Sequence, residues 1–184
     1  MFKITFEDMV ITFLQRLLWL VALVAAQMMV FNYVHLMGYA TPMPYVYLLL
    51  LFPLGTHRWT ALLWGFSCGL LCDIVSLTTG VGAAAMTAAA FIQPPLLALL
   101  APKDAVEDMQ ASFASMDFWP YVRYAAVVTF VFTATYFLLQ SFNFFHIGDL
   151  AISFLSSWLL TLLICVAIEG VRGGRTSSRA VRDV

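Results

Sequence analysis

Asp73 is the one acid deep inside an apolar run of this chain, and the residue type best suited there to chemistry. A bare carboxylate in such surroundings is expensive, so it must be protonated, hydrogen-bonded or open to a water-filled crevice. The chemistry it could support is a proton relay or the anchoring of a ligand. The structural alternative is a helix corner fixed by hydrogen bonds to the Gly80–Gly82 turn. Transport usually shows several intramembrane ionisable groups; this chain shows one, which weighs toward the structural role. Counting from Trp59 at about 1.5 Å per residue puts Asp73 roughly 21 Å along its helix. No cation is available at that depth, so the candidate partners are Gln27, Asn32, Thr78, Thr79 and Gln140.

Gly65, Gly69 and Asp73 follow at i, i+4 and i+8 and so share one helix face, which Cys72 and Ser76 widen with small side chains. Such a stripe lets backbones approach closely. It could dimerise the chain, seat the helix of another protein, or pack internally, and internal packing is the default. The three cysteines, Cys68, Cys72 and Cys165, are odd in number and lie in apolar runs, which argues against a disulfide framework. His35, His57 and His146 fall in connections on different sides, so they cannot meet at one site. No Ser-His-Asp set, phosphate-cradling glycine loop or metal-ligand spacing emerges. Glu169 and Arg172 read as an interfacial pair at i, i+3.

The elements that must position these residues are apolar helices. The chain of 184 residues is 62% hydrophobic and 10% charged, against about 25% charged in soluble domains. Six apolar stretches run roughly over 10–31, 43–56, 59–77, 81–101, 121–142 and 149–169. All nine Lys and Arg residues fall outside them or at one end of them: Lys3 and Arg16, Arg58, Lys103 and Arg123, then Arg172, Arg175, Arg179 and Arg182. Every second connection carries these cations and the alternate ones carry none. Cytoplasmic loops collect Lys and Arg. The sequence therefore predicts an all-α integral membrane protein, a six-helix bundle over 1–171 with both termini cytoplasmic. Nothing points to nucleic acid, metal or cofactor.

Local signals refine this. Val24-Ala25-Ala26 resembles a signal-peptide cleavage site, but the acidic flank and the continuing apolar run predict retention. Pro42 and Pro44 set the entry to the second stretch, which Pro53 breaks. That stretch is short for a full span of roughly 30 Å; it either extends into the proline-rich loop or sits inside the bundle. Pro94-Pro95 should kink or break the fourth helix. Val106, Met109, Phe113 and Met116 predict a short amphipathic helix near 103–119. Its face is acidic, so partner contact and interfacial packing are the open readings. Residues 172–184 read as a basic, disordered tail. Its four arginines can each gain about 1 kcal/mol from anionic lipid or serve only as a topological anchor.

The order Pro42-x-Pro44, then Trp64-Gly65-Phe66-x-x-Gly69-Leu70-x-x-Asp73, then Gly80-x-Gly82-x-x-Ala85 resembles the bacterial rod shape-determining protein MreD family. Gly69, Leu70, Asp73 and Gly82 match that family's glycine-leucine step, aspartate and helix-opening glycine. The matching part covers about 45 residues; the acidic loop and the arginine tail have no counterpart. The resemblance implies a non-enzymatic scaffold of the cell-elongation, lateral peptidoglycan synthesis machinery in the bacterial cytoplasmic (inner) membrane. The implied partners are MreC, through its one membrane helix, and in the wider assembly MreB, RodA and a class B penicillin-binding transpeptidase. The family is similar in fold to the substrate-binding subunits of vitamin-uptake transporters. These supply the main alternative, which predicts an outer cavity built from the 32–45 loop, Asp73 and Gln140. A lipid-modifying enzyme would need two convergent polar groups, and only Asp73 can be nominated.

Overall fold

A computed structural model describes residues 6–31, 41–78, 80–102, 109–140 and 147–180. The elements are α1 (Phe6–Ala26), continued by a π-helical turn (Gln27–Phe31), a 3-10 turn (Pro44–Val46) leading into α2 (Tyr47–Leu50), α3 (Arg58–Ser76), α4 (Val81–Leu100), α5 (Phe113–Met116), α6 (Phe118–Gln140) and α7 (Ile147–Ala180). Five helices are long and apolar enough to cross a membrane: Val10–Met29, Arg58–Ser76, Val81–Leu100, Phe118–Gln140 and Ala151–Arg172. Among the described residues there is no strand, only an isolated bridge between Pro53 and Gln110. Their outward faces carry large apolar side chains such as Leu18, Met29, Leu63 and Leu163, as lipid contact requires. The protein is all-α, with the build of a multi-pass membrane protein.

Among the described residues, the 43–56 stretch does not form the expected sixth spanning helix. The 43–56 stretch contains only the 3-10 turn and the four residues of α2. Pro44 can start a helix, but Pro53 lacks the N–H needed to extend one, and Gly55 follows. This segment is nonetheless the centre of the bundle: Val46, Tyr47, Leu48, Leu49, Leu50 and Phe52 are all buried. Its irregular backbone is tolerated because protein, not lipid, surrounds it. The N–H of Thr41 donates to Ser157 Oγ (3.1 Å) and that of Met43 to Thr161 Oγ1 (3.2 Å). Farther on, Tyr47 Oη donates to Glu169 (2.6 Å). The segment thus runs parallel to α7. Along α1, Arg16 meets Phe52 and Trp19 meets Tyr47, so α1 runs antiparallel to it. The start of α1 and the Glu169 end of α7 therefore lie at the same end of the bundle.

Other expectations shift in detail. α4 passes through Pro94 and Pro95 without a break; these residues cost two helical hydrogen bonds, and burial of Gln93 and Leu97 on either side holds the helix in place. Of the amphipathic stretch near 103–119, residues 103–108 lie outside the described residues and only Phe113–Met116 is α-helical before α6 begins. Ser112 starts this turn with a capping box with Ser115. Asp117, at φ 63°, ends it in the left-handed region. The helical backbone of α7 continues to Ala180, past residue 171, where the disordered tail was expected to begin. The loop 32–40 and Arg182 lie outside the described residues.

α4 is the central long helix, packing on α3 and α6, and α6 in turn packs on α7. Its small residues Gly82, Ala83, Ala85, Ala89 and Ala90 are buried. α6 and α7 are joined by Phe130 edge-on to Phe154 and Trp158, and by Trp158 Nε1 donating to the carbonyl of Ala126 (3.2 Å).

Candidate functional site

The α3–α4 corner gathers most of the residues singled out in the sequence. α3 ends at Ser76, and Leu77 closes it at φ 54°. Gly80, at φ 81°, then precedes α4, and nothing lies within 4 Å of where its Cβ would be. Backbone conformation, not crowding, favours glycine there. Asp73 reaches across the corner. Its Oδ1 accepts from Thr78 Oγ1 (2.6 Å) and from the N–H of Gly82 (2.9 Å); its Oδ2 accepts from the N–H of Ala83 (2.8 Å). Asp73 is therefore a cap of α4 supplied from the preceding helix, filling N–H groups that a helix start leaves unpaired. The positive end of the α4 dipole also favours a carboxylate at this place.

The glycines make this approach possible. A Cβ on Gly69 would lie 2.6 Å from both the Ala83 Cα and the Gly82 carbonyl oxygen; one on Gly82 would lie 2.6 Å from Asp73 Oδ1. One on Gly65 would meet Ala90 Cβ at 3.0 Å and Leu49 Cδ2 at 3.3 Å. The small-residue stripe of α3 is thus filled by α4 and α2, which leaves no room on that face for the helix of another protein. Leu70 points elsewhere and is exposed, together with Leu63, Phe66 and Ile74. Pro42 and Pro44 are buried at the head of the central segment. Of the nominated partners of Asp73 that lie among the described residues, only Thr78 bonds to it. Gln140 is exposed, Gln27 is buried with its Oε1 unpaired, and Asn32 and Thr79 lie outside the described residues.

A second polar group was underestimated from the sequence. Glu169 and Arg172 do pair, at 3.4 Å, but Glu169 is only 1% exposed. Its Oε2 also accepts from Tyr47 Oη, while its Oε1 and the nearby hydroxyl of Tyr121 have no hydrogen-bond partner among the described residues. Arg172 further donates to Gln110 Oε1, and the Leu54 N–H donates to the carbonyl of Met109 (3.0 Å). Phe113 packs on Tyr121 and lies beside Gly170. Glu169 thus joins the central segment, α7 and the 109–116 segment at one end of the bundle. The available signal was a tyrosine within an apolar run and an acid at the end of the last one, but spacing gives no reason to bring Tyr47 and Glu169 together.

Gln93 Nε2 donates to Tyr124 Oη (2.9 Å) between α4 and α6. Cys68, Cys72 and Cys165 are free and buried. Arg58, Arg123 and His57 are exposed, and Arg175 and Arg179 lie on the helical backbone of α7. Lys3, Lys103, His35 and His146 lie outside the described residues. Among the described residues no group of three His, Cys, Asp or Glu side chains converges. The Asp73 oxygens are occupied by the corner, and the arrangement acts as a clamp between two helices. The chain matches no family model, no curated protein and no solved structure.

Proposed function

We propose that this chain is a non-enzymatic membrane scaffold of the bacterial cell-elongation machinery, similar to MreD, binding the membrane helix of MreC and helping to maintain rod shape. The observation that carries this reading is the convergence of the motif residues. Gly69, Asp73 and Gly82, which carry the resemblance in sequence, meet at one rigid corner, while Leu70 of the same motif faces outward. A corner fixed by backbone contacts presents the outer face of α3, with Leu63, Phe66, Leu70 and Ile74, as a firm surface for one partner helix. Because α1 begins and α7 ends at the end that carries Arg58, Arg123 and Arg172, the positive-inside rule favours both termini in the cytoplasm. The wider assembly would bring MreB, RodA and a class B penicillin-binding transpeptidase to the same complex at the inner membrane.

The alternative, a substrate-binding subunit of a vitamin-uptake transporter, needs Asp73 to face a ligand. Its oxygens instead accept from Thr78, Gly82 and Ala83, and Gln140 does not join it. Affinity purification of the tagged chain from native membranes in mild detergent, with mass spectrometry of the co-eluting proteins, tests the reading. Recovery of a one-helix periplasmic protein with wall-synthesis enzymes is expected. Recovery of an ATPase pair with a coupling membrane subunit would overturn it.

A further inference from the structure

At the Glu169 end of the bundle, two buried side-chain atoms bond to no described residue: the hydroxyl of Tyr121 and Oε1 of Glu169. Tyr121 is wholly buried on α6 and Glu169 almost wholly on α7. The two belong to one cluster. Of the groups that act electrostatically on the Tyr121 hydroxyl, Glu169 acts most strongly, followed by Tyr47 and Cys165. Glu169 holds Tyr47 Oη through its other oxygen, at 2.6 Å. Cys165, free and buried, precedes Glu169 by four residues, so both share one face of α7. The Phe113 ring lies edge-on to Tyr121, with 4.8 Å between centres, and stands beside Gly170. It closes the cluster on the side of the 109–116 segment.

Buried hydroxyls and carboxylates nearly always have a hydrogen-bond partner. Donor and acceptor chemistry decides what this one is. Tyr121 has a proton to donate, whereas an ionised Glu169 oxygen can only accept. The occupant must therefore accept from one and donate to the other. A metal cation would suit Oε1 but leave the tyrosyl proton without an acceptor. The charge of Glu169 is, besides, already matched by Arg172 at 3.4 Å. An anion would suit the tyrosine but face the carboxylate. A neutral molecule that both donates and accepts, and is small enough for a closed site, is water. An internal water needs two to four polar partners, and its second proton can turn to the Cys165 sulfur, a weak acceptor.

We propose that one internal water molecule bridges Tyr121 and Glu169, accepting from Tyr121 Oη and donating to Glu169 Oε1. It completes the shell of a charged group held inside the last span. It also ties α6 to α7 about three turns beyond the Trp158–Ala126 bond. The competing outcomes are a direct bond between Tyr121 and Glu169, and a tyrosyl hydroxyl that stays unpaired.

The sign of one substitution separates the last of these. Removing an unpaired buried hydroxyl relieves a cost, so Tyr121→Phe would then raise the thermal midpoint of the full chain in detergent. With the water in place, the same change strips it of its donor and weakens its hold on Glu169. The midpoint should then fall by about 3 °C. A rise or no change would overturn the proposal. A direct bond also predicts a fall, so the second measurement is a crystal structure of the full chain from a lipid mesophase, at a resolution that shows ordered waters. A spherical density peak about 3 Å from both Tyr121 Oη and Glu169 Oε1 is expected, and its loss in Tyr121→Phe. Direct contact between the two atoms, or no peak between them, would overturn the site. If Tyr121→Phe does not fold, the wild-type map alone decides.

Discussion

Gly69→Ala tests the α3–α4 corner most directly. The added methyl would lie 2.6 Å from two backbone atoms of α4 and 2.8 Å from a third. Ordinary contact begins near 3.4 Å, so the helices must part by about 0.8 Å. Backbone cannot rotate out of the way as a side-chain tip can. Overpacking of this kind costs about 2 kcal/mol. The same parting stretches the bonds from the Gly82 and Ala83 N–H groups to Asp73, now 2.9 and 2.8 Å, beyond useful range. At about 0.6 kcal/mol for each bond within a membrane protein, the total is about 3 kcal/mol. For a chain of this size that is a fall in midpoint of roughly 6–12 °C. The assay is thermal unfolding in detergent, followed by circular dichroism. Gly65→Ala is the internal control: its methyl meets Ala90 Cβ at 3.0 Å, the Met86 carbonyl oxygen at 3.2 Å and a flexible Leu49 methyl at 3.3 Å, so the helices need part by only about 0.4 Å and the loss should be about half as large. Equal losses in the two variants would refute the argument that the tight corner, and not the glycine stripe as a whole, fixes the helix pair.

Asp73→Asn should cost about 2 kcal/mol, because the amide turns a donor toward one of the N–H groups that the carboxylate now receives; Thr78→Ala, which removes one bond, should cost about half of that in the same assay. Arg172→Ala should destabilise by about 2 kcal/mol by leaving buried Glu169 without its cation. Adding Glu169→Gln should recover part of the loss, and a double variant weaker than the single one would contradict this. Leu77→Gly should stabilise by about 1 kcal/mol, since a β-carbon at φ 54° is strained and the side chain is exposed. Maleimide should label none of Cys68, Cys72 and Cys165 in the folded protein and all of them after denaturation, as read by mass shift.

The sequence was most legible where one signal sufficed. Five apolar runs became the long helices, four of them within a few residues at both ends and the last running on to Ala180. Asp73 reads as a structural fastener of the Gly80–Gly82 corner because a lone intramembrane acid weighs against transport, although five side chains stay open as its partners. The second run misled as a span: its composition is apolar, but Pro44, Pro53 and Gly55 restrict its helix to a few residues. Hydropathy reports burial in either protein or lipid and does not separate the two. The Tyr47–Glu169 bond was not legible, because it joins residues 122 apart through packing that no local period encodes. Ser157 and Thr161 carry no signal of their own in the sequence, and their role appears only when the backbone they serve is placed beside them.

Those two hydroxyls have a consequence for how the protein is made. The segment 41–56 leaves the ribosome well before the groups that satisfy its Thr41 and Met43 N–H donors, which belong to α7. Unpaired backbone is costly in lipid, and this segment is too short and irregular to settle there as a helix of its own. It must therefore wait, in the translocation channel or at the membrane surface, while more than a hundred residues follow it. The core then closes in a single step, in which α7 arrives and an early part of the chain moves to the centre. A nascent chain stalled before Ser157 would hold its long helices in the membrane while its core was still missing.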